Sequence, residues 1–237
     1  MKIEPLLNEL FPAGHSVSVR AGLLSGYGSA GPGQVAVLGT TDHLAVSAEV
    51  ALELACFVLN VVREKPGVAI LMLVDTQGQK LSKADELLGL NGYLAHLVKC
   101  LDLASRRGHR LITLVYDEAV SGGFLSFGLM ADDIHALADA QIRVMNLPAM
   151  ARITKLPLET LQELSVKSPS FAPGVDNFYK LGGVLSIWRP PLADHLEAAL
   201  KRQTCGDHRR DDGMERMGRK LAARVSRLVV DAKPKTG

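Results

Sequence analysis

The run Leu111-Ile112-Thr113-Leu114-Val115-Tyr116 is followed by Ser121-Gly122-Gly123 and then by Phe124 to Ala131, rich in Leu, Met, Phe and Ala. It reads as an apolar, β-branched strand, a corner of paired glycines and a helix. That layout aims backbone N–H groups at a ligand. The first turn of a helix holds donors with no internal acceptor, and the dipole there favours negative charge. Glycine removes the side chain that would keep an oxygen away. Such a corner can hold a phosphate or stabilise a developing oxyanion.

Upstream, Ala69 to Val74 is a continuous apolar run, the pattern of a parallel strand covered on both faces. It ends at the polar loop Asp75-Thr76-Gln77-Gly78. A polar stretch, Gln79 to Glu86, leads into a helix expected from about Leu87 to Arg107 and stopped by Gly108. Nearer the N-terminus, a short helix ends at Phe11-Pro12 and His15 to Arg20 alternates like a strand. A glycine-rich segment, Gly22 to Gly33, separates this from Val35-Ala36-Val37-Leu38, giving a β-meander. Thr41 or Asp42 is then expected to cap a helix with Ala45, Ala48, Leu52, Ala55, Leu59 and Val62 on one face, halted at Pro66-Gly67.

Downstream of the corner, Asp133 to Asp139 reads as helix or turn and Gln141 to Asn146 as a strand. A helix starts at Pro148, and further helices are expected at 157–165 and 191–203. Between them, 166–182 reads as loop with a helical patch near Asn177 to Leu181. Beyond residue 201 the chain is basic, with Leu221, Val225 and Leu228 at helical spacing. Repeated strand–helix units predict an α/β fold. Its two special loops, Asp75–Gly78 and Asp117–Gly123, lie at strand C-terminal ends, where α/β sites cluster.

Composition narrows the function. The 237 residues are 47% apolar and 22% charged, enough for a sizeable core. A net charge of +2 and 5% aromatic content argue against a dedicated nucleic-acid binder. Cys56, Cys100 and Cys205 lack metal-ligand spacing and read as reduced thiols of a cytoplasmic protein. Met1 to Pro5 shows no signal-peptide pattern, and no apolar run reaches membrane-spanning length. His43, His96 and His135 have no metal spacing and read as structural, so no metal is expected.

The phosphate reading of the corner lacks support. Ser121-Gly122-Gly123 has no Walker A lysine, and the GxGxxG letters at Gly26, Gly28 and Gly31 lie between strands and open no helix. Ser121 is not in a GxSxG elbow and no His follows in the expected order with an acid before it, which leaves a serine hydrolase weakly supported. An oxyanion site remains, beside the plainer reading that the glycines only permit close packing.

Asp75-Thr76-Gln77-Gly78-Gln79, Tyr116-Asp117-Glu118-Ala119-Val120-Ser121-Gly122-Gly123 and Asn146-Leu147-Pro148-Ala149-Met150-Ala151-Arg152-Ile153 resemble the crotonase-superfamily carboxyltransferases, which act on acyl thioesters. Within them the chain is similar to the γ subunit of biotin-independent malonate decarboxylase over roughly residues 10–200. Gln77 stands where the carboxyltransferases carry Pro, and Val120 where they usually carry Gly.

The resemblance implies a crotonase/ClpP-like spiral of ββα units over residues 1–200 with a basic helical extension over 201–237. It implies decarboxylation of a malonyl thioester through an enolate held by backbone N–H groups. It also implies a heterodimer with a related β subunit, an acyl carrier protein subunit and an acyltransferase α subunit. The thioester would sit on the carrier's phosphoribosyl-dephospho-CoA-type prosthetic group. This chain would bind no cofactor directly and need no biotin. A carboxyltransferase subunit of a biotin-dependent acyl-CoA carboxylase and a non-catalytic scaffold are the alternatives.

On this reading Gly122, Gly123, Gly78 and Gln79 supply the catalytic N–H groups. Ser121, which also reads as a helix cap, stands near the substrate with Gln77, Tyr116, Asn146 and Arg152. Tyr116 is also a candidate proton donor. Asp117 and Glu118 read as solvated loop. The basic segment is suited to an acidic carrier, and its Leu/Val stripe to a partner subunit.

Overall fold

The computed structural model describes residues 2–31, 33–167, 173–203, 206–218 and 221–232. Helix α1 (Ile3–Leu10) precedes β1 (Ser18–Arg20), β2 (Leu23–Ala30) and β3 (Gly33–Thr40), an antiparallel meander. The glycine-rich segment is therefore mostly strand. Gly28 presses directly on the Phe11 ring, which leaves no room for a Cβ. Then follow α2 (Ala48–Glu64), β4 (Ala69–Thr76), α3 (Lys83–Leu88), α4 (Leu90–Arg106), β5 (Leu111–Val120) and α5 (Ser121–Phe127), the last extended by a 3-10 turn over Gly128–Met130.

The remaining elements are β6 (Asp133–Leu137), β7 (Gln141–Arg143), α6 (Leu147–Thr154), α7 (Leu158–Lys167), α8 (Val175–Lys180), β8 (Ser186–Trp188), α9 (Leu192–Lys201), α10 (Arg209–Glu215) and α11 (Ala222–Asp231). Among the described residues eight strands form one sheet in the order β1-β2-β3-β4-β5-β6-β8, parallel from β3 onward, with β7 also paired to β5.

Strand alternation builds a core on each face. Ile70, Met72 and Val74 of β4 and Leu111, Val115 and Ala119 of β5 meet α2 and α4 through Leu54, Val58, Leu97 and Leu101. Leu71, Leu73, Ile112, Leu114 and Tyr116 meet α1 and α9 through Leu6, Leu10, Leu192 and Leu196. Burial on both faces is why these two strands are so uniformly apolar.

Several boundaries differ from expectation. Helix α2 is capped by Ser47, whose hydroxyl accepts from the Val50 N–H at 3.1 Å, not by Thr41 or Asp42. Its buried stripe runs through Ala51, Leu54, Ala55, Val58 and Val61, and Leu52 is exposed. The helix expected from Leu87 is two helices. Ser82 caps the first, and Gly89, at φ +77°, ends it and opens the second. Residues Asp133–Leu137 form a buried strand rather than a helix or turn. The Asp133 carboxylate is fully buried between Arg110 and Arg202. Helix α5 begins at Ser121, three residues before the expected start. Strand β8 carried no expectation.

Contacts continue across residue 200. Arg202 pairs with Asp133, Arg209 donates to the Leu129 carbonyl, and Arg216 donates to the carbonyls of Tyr179, Val184 and Leu185. Val225 and Leu228 do lie on a helix, α11, with Leu221 at its N-cap position, and all three are exposed. Cys56 and Cys100 are free thiols, and Cys205 lies outside the described residues. No helix of the described residues is long and apolar enough to cross a membrane.

Candidate functional site: the glycine corner and its flanking loop

Strands β4 and β5 are parallel neighbours, so their C-terminal loops emerge side by side. Their register shifts near the exit: Val74 pairs with Val115, but Thr76 pairs with Ala119. The extra length in β5 bulges Tyr116 to Glu118 and sets Ser121 beside the β4 loop.

That loop is pinned from below. The Thr76 hydroxyl donates to the Leu44 carbonyl at 2.6 Å and accepts from the Gly78 N–H at 3.1 Å. The Val46 N–H donates to the Gly78 carbonyl at 2.8 Å, and the Lys80 N–H to the Val46 carbonyl at 2.9 Å. Gly78 holds φ +109°, and a Cβ there would lie 3.2 Å from the Val120 carbonyl oxygen. A Cβ on Gly123 would lie 2.6 Å from the Gly78 carbonyl carbon, and one on Gly122 would lie 2.9 Å from Gln79 Oε1. Gly78 and Gly123 are thus demanded by backbone contact between loop and corner, whereas Gly122 meets only the end of the Gln79 side chain.

The Gly122 N–H donates to Gln79 Oε1 at 2.9 Å, joining the two loops across 43 residues. Gly123 is the third residue of α5, so its N–H has no acceptor within that helix. Ser121 does not cap: the N-cap position is Val120, without a side-chain hydrogen bond, and Ser121 stands at φ +47°. For a residue with a Cβ this left-handed turn costs on the order of 1 kcal/mol. It turns the chain sharply from strand into helix.

The structure therefore brings Gly78, Gln79, Ser121, Gly122 and Gly123 together. Gly78 already gives its N–H to Thr76, which leaves the N–H groups of Gly123 and Gln79 as the donors suited to an incoming oxygen. Gln77 and Gln79 line an adjoining cleft of about 850 Å³, bounded also by Arg20, His43, Lys80 and Leu81.

The remaining expected residues have other engagements or sit on α6. Tyr116 is buried on the opposite face of β5. Its hydroxyl donates to the Thr40 carbonyl at 2.9 Å, and burial pushes its pKa well above the ordinary tyrosine value. It is therefore poorly placed to donate a proton at the corner. Asn146 accepts from the Ala149 N–H at 2.9 Å as the cap of α6. Arg152 is exposed in the last turn of that helix.

Sequence reasoning missed a cluster around Asp75. His43 Nδ1 lies 2.6 Å from Asp75 Oδ1, and the His43 N–H donates to Oδ2 at 3.0 Å. The Glu118 N–H also donates to Oδ1, at 3.2 Å, while the Glu118 carboxylate pairs with Arg143 at 2.8 Å. Glu118 Oε2 stands 3.9 Å from His43 Nδ1. Burial lowers the pKa of His43, but its hydrogen bond to Asp75 and the charges of Asp75, Glu118 and Asp117 raise it on balance. His43, Asp75 and Asp117 also lie close enough together to offer ligand atoms to a cation. The imidazole and the Asp75 carboxylate instead bond to each other. Asp42 and His43 both take positive φ, which turns the ring toward β4. The partners are 32 residues apart, and no sequence spacing signals them.

The family model described as malonate decarboxylase gamma subunit matches residues 41–233, which include this whole site. The chain belongs to the malonate decarboxylase gamma-subunit family. Consistent with that family, it is 33% identical over 186 residues to the malonyl-S-ACP:biotin-protein carboxyltransferase MADD of Malonomonas rubra. The match covers 70% of this chain and 64% of that relative, less than two thirds of its length. Among solved structures, a Pseudomonas malonate decarboxylase hetero-tetramer in complex with coenzyme A aligns at TM-score 0.78 and 25% identity, over 95% of this chain and 97% of that one. The Pseudomonas MdcD–MdcE hetero-dimer aligns at 0.74 and 27% over the same shares. Transcarboxylase 12S shares the fold at TM-score 0.69 and 18% identity, over 86% of this chain and 42% of that one. The chain thus has the crotonase-like carboxyltransferase fold that the resemblance implies.

Proposed function

We propose that this chain is the γ subunit of a malonate decarboxylase, completing with a related β subunit a site that converts malonyl-S-acyl carrier protein to acetyl-S-acyl carrier protein and carbon dioxide. The observation that carries the reading is the docking of Gly78-Gln79 on Ser121-Gly122-Gly123 in a chain of this family. Loss of carbon dioxide leaves an enolate whose charge develops on the thioester oxygen. Fixed N–H donors aimed at that position stabilise the transition state more than the ground state. Gly123 and Gln79 supply the donors from this chain. Their order comes from the Gly122–Gln79 bond and the pinned β4 loop, so the hole is set before substrate arrives.

The thioester is carried on the partner acyl carrier protein's phosphoribosyl-dephospho-CoA-type group, and this chain binds no cofactor of its own. An acyltransferase α subunit completes the assembly in the cytoplasm. A partner surface is available: α6 buries none of its residues, and Ile153 and Val166 on the α6–α7 pair are 67% and 88% exposed. Exposed apolar clusters of this kind mark protein interfaces.

A biotin-dependent carboxyltransferase remains the second reading, favoured by the 33% identity to a protein named for biotin-protein carboxyl transfer. Co-expression with the β subunit, and an assay of carbon dioxide release from malonyl thioester without biotin or ATP, separates the two. The expected result is release that needs both chains and is insensitive to avidin. Gly123→Val should lower it about a hundred- to a thousand-fold while the complex stays assembled. Full turnover by that variant would make the chain a scaffold. Turnover only with carboxybiotin would establish the second reading.

A further inference from the structure

Decarboxylation leaves a carbanion equivalent that must take up a proton, and the glycine corner offers no acid. We infer that His43, oriented by Asp75, is the general acid that protonates the α-carbon of the enolate. The inference rests on the decarboxylase reading of the site.

Tautomer and position support the assignment. A carboxylate only accepts, so at 2.6 Å from Asp75 Oδ1 the Nδ1 of His43 carries its proton. Nε2 is then the nitrogen that gains and loses a proton. The His43 side chain is 51% exposed, so water can reach the ring, whereas that of Asp75 is 5% exposed. The ring lines the same cleft as Gln77 and Gln79, and Gln79 is one of the two proposed donor residues. The carboxylate is fixed by the backbone N–H groups of His43 and Glu118. A buried anion thus holds the imidazole in place and favours its charged form.

The other charged groups have defined places. Asp117 and Glu118 face the ring from β5, and Arg143 on β7 engages the far oxygen of Glu118. Asp42 precedes His43 in its loop, and Arg20, Glu49, Glu53 and Lys80 line the rest of the cleft. Acidic groups predominate next to the ring and raise its pKa above the ordinary histidine value.

The step balances. The electron pair of the broken carbon–carboxylate bond forms the enolate. That pair takes the Nε2 proton to give the acetyl thioester, and the neutral imidazole regains a proton from water. Turnover should therefore fall as pH rises through the His43 pKa, which lies above the ordinary histidine value.

The test uses the assembled complex. His43 sits at φ +52°, so His43→Gly suits its backbone and keeps the N–H bond to Asp75. Turnover of malonyl thioester should drop about a hundred- to ten-thousand-fold with KM little changed. Its alkaline limb should disappear, and added imidazole should restore part of the rate. Asp75→Asn should move the limb of the otherwise intact enzyme to lower pH. Wild-type turnover retained by His43→Gly, or a loss that imidazole does not restore with the alkaline limb unmoved, would overturn the role of His43 alone. An assembled wild-type complex that releases no carbon dioxide would instead overturn the decarboxylase reading, and this inference with it.

Discussion

One side chain makes the clearest demand on folding. His135 is 4% exposed, stacked on Trp188 at 4.5 Å between ring centroids, and bonded through Nδ1 to Ser186 Oγ at 2.9 Å. Its Nε2 has no partner among the described residues. Burial, then the charges of Arg202 and Arg110, hold its pKa down at about 3. In the unfolded chain the ring titrates near 6.5. Between those values the unfolded state binds a proton that the folded state refuses, so stability falls as pH drops. The expected slope is about 1.4 kcal/mol per pH unit below roughly pH 6, measured by urea unfolding at pH 7, 6 and 5. His135→Phe keeps the stacking and should flatten that slope. His43 has the opposite sign. Its raised pKa contributes stability at low pH that is lost as pH rises through the folded value.

At the scale of elements, α2 is set by a small local signal. Ser47→Ala removes the hydroxyl that accepts from Val50 and should cost about 1 kcal/mol, visible as a lowered Tm without loss of helix content. The same helix shows how sequence and structure relate. Its existence was legible from apolar spacing and from Pro66-Gly67. Its start was not, because Thr41, Asp42 and Ser47 are all plausible caps and only the chain path selects Ser47. Strands β4 and β5 were legible because burial on both faces leaves little that is polar in them. Strand β6 was hidden, since Asp133 and His135 are polar residues whose burial depends on Arg110, Arg202 and Ser186 from distant segments. In the site, the glycine corner and its loop were visible because glycine reports backbone demands directly. The His43–Asp75 pair was invisible because a left-handed turn at a non-glycine residue leaves no mark in sequence.

Over the whole molecule, Asp133 joins the sheet to the C-terminal region. Its carboxylate is shared by Arg110, just before β5, and Arg202, just after α9. Asp133→Ala leaves two guanidinium groups facing a buried void and should destabilise by about 3–5 kcal/mol in chemical denaturation. Lys201→Ala breaks only the exposed pair with Glu197 and should stay within about 0.5 kcal/mol. At the molecular surface, Ile153→Glu should leave the isolated chain's Tm nearly unchanged, since Ile153 is 67% exposed. The same variant should weaken co-purification with the β subunit, which a pull-down would read.

On the side away from β4, strand β5 serves two neighbours. Its first half pairs with β6, while Glu118, Ala119 and Val120 pair with Gln141, Ile142 and Arg143 of β7. The residue after that second ladder is Ser121, and the element after β7 is α6. A short stiff linkage therefore runs from the exposed helix pair, through three rungs of backbone and the Arg143–Glu118 bridge, to the turn that aims Gly123. Any load placed on α6 by an arriving subunit is delivered within one residue of the corner. On the docking face proposed above, assembly and alignment of the proposed donors would be one mechanical event, because the helix offered to the partner and the turn before Gly123 share one short lever.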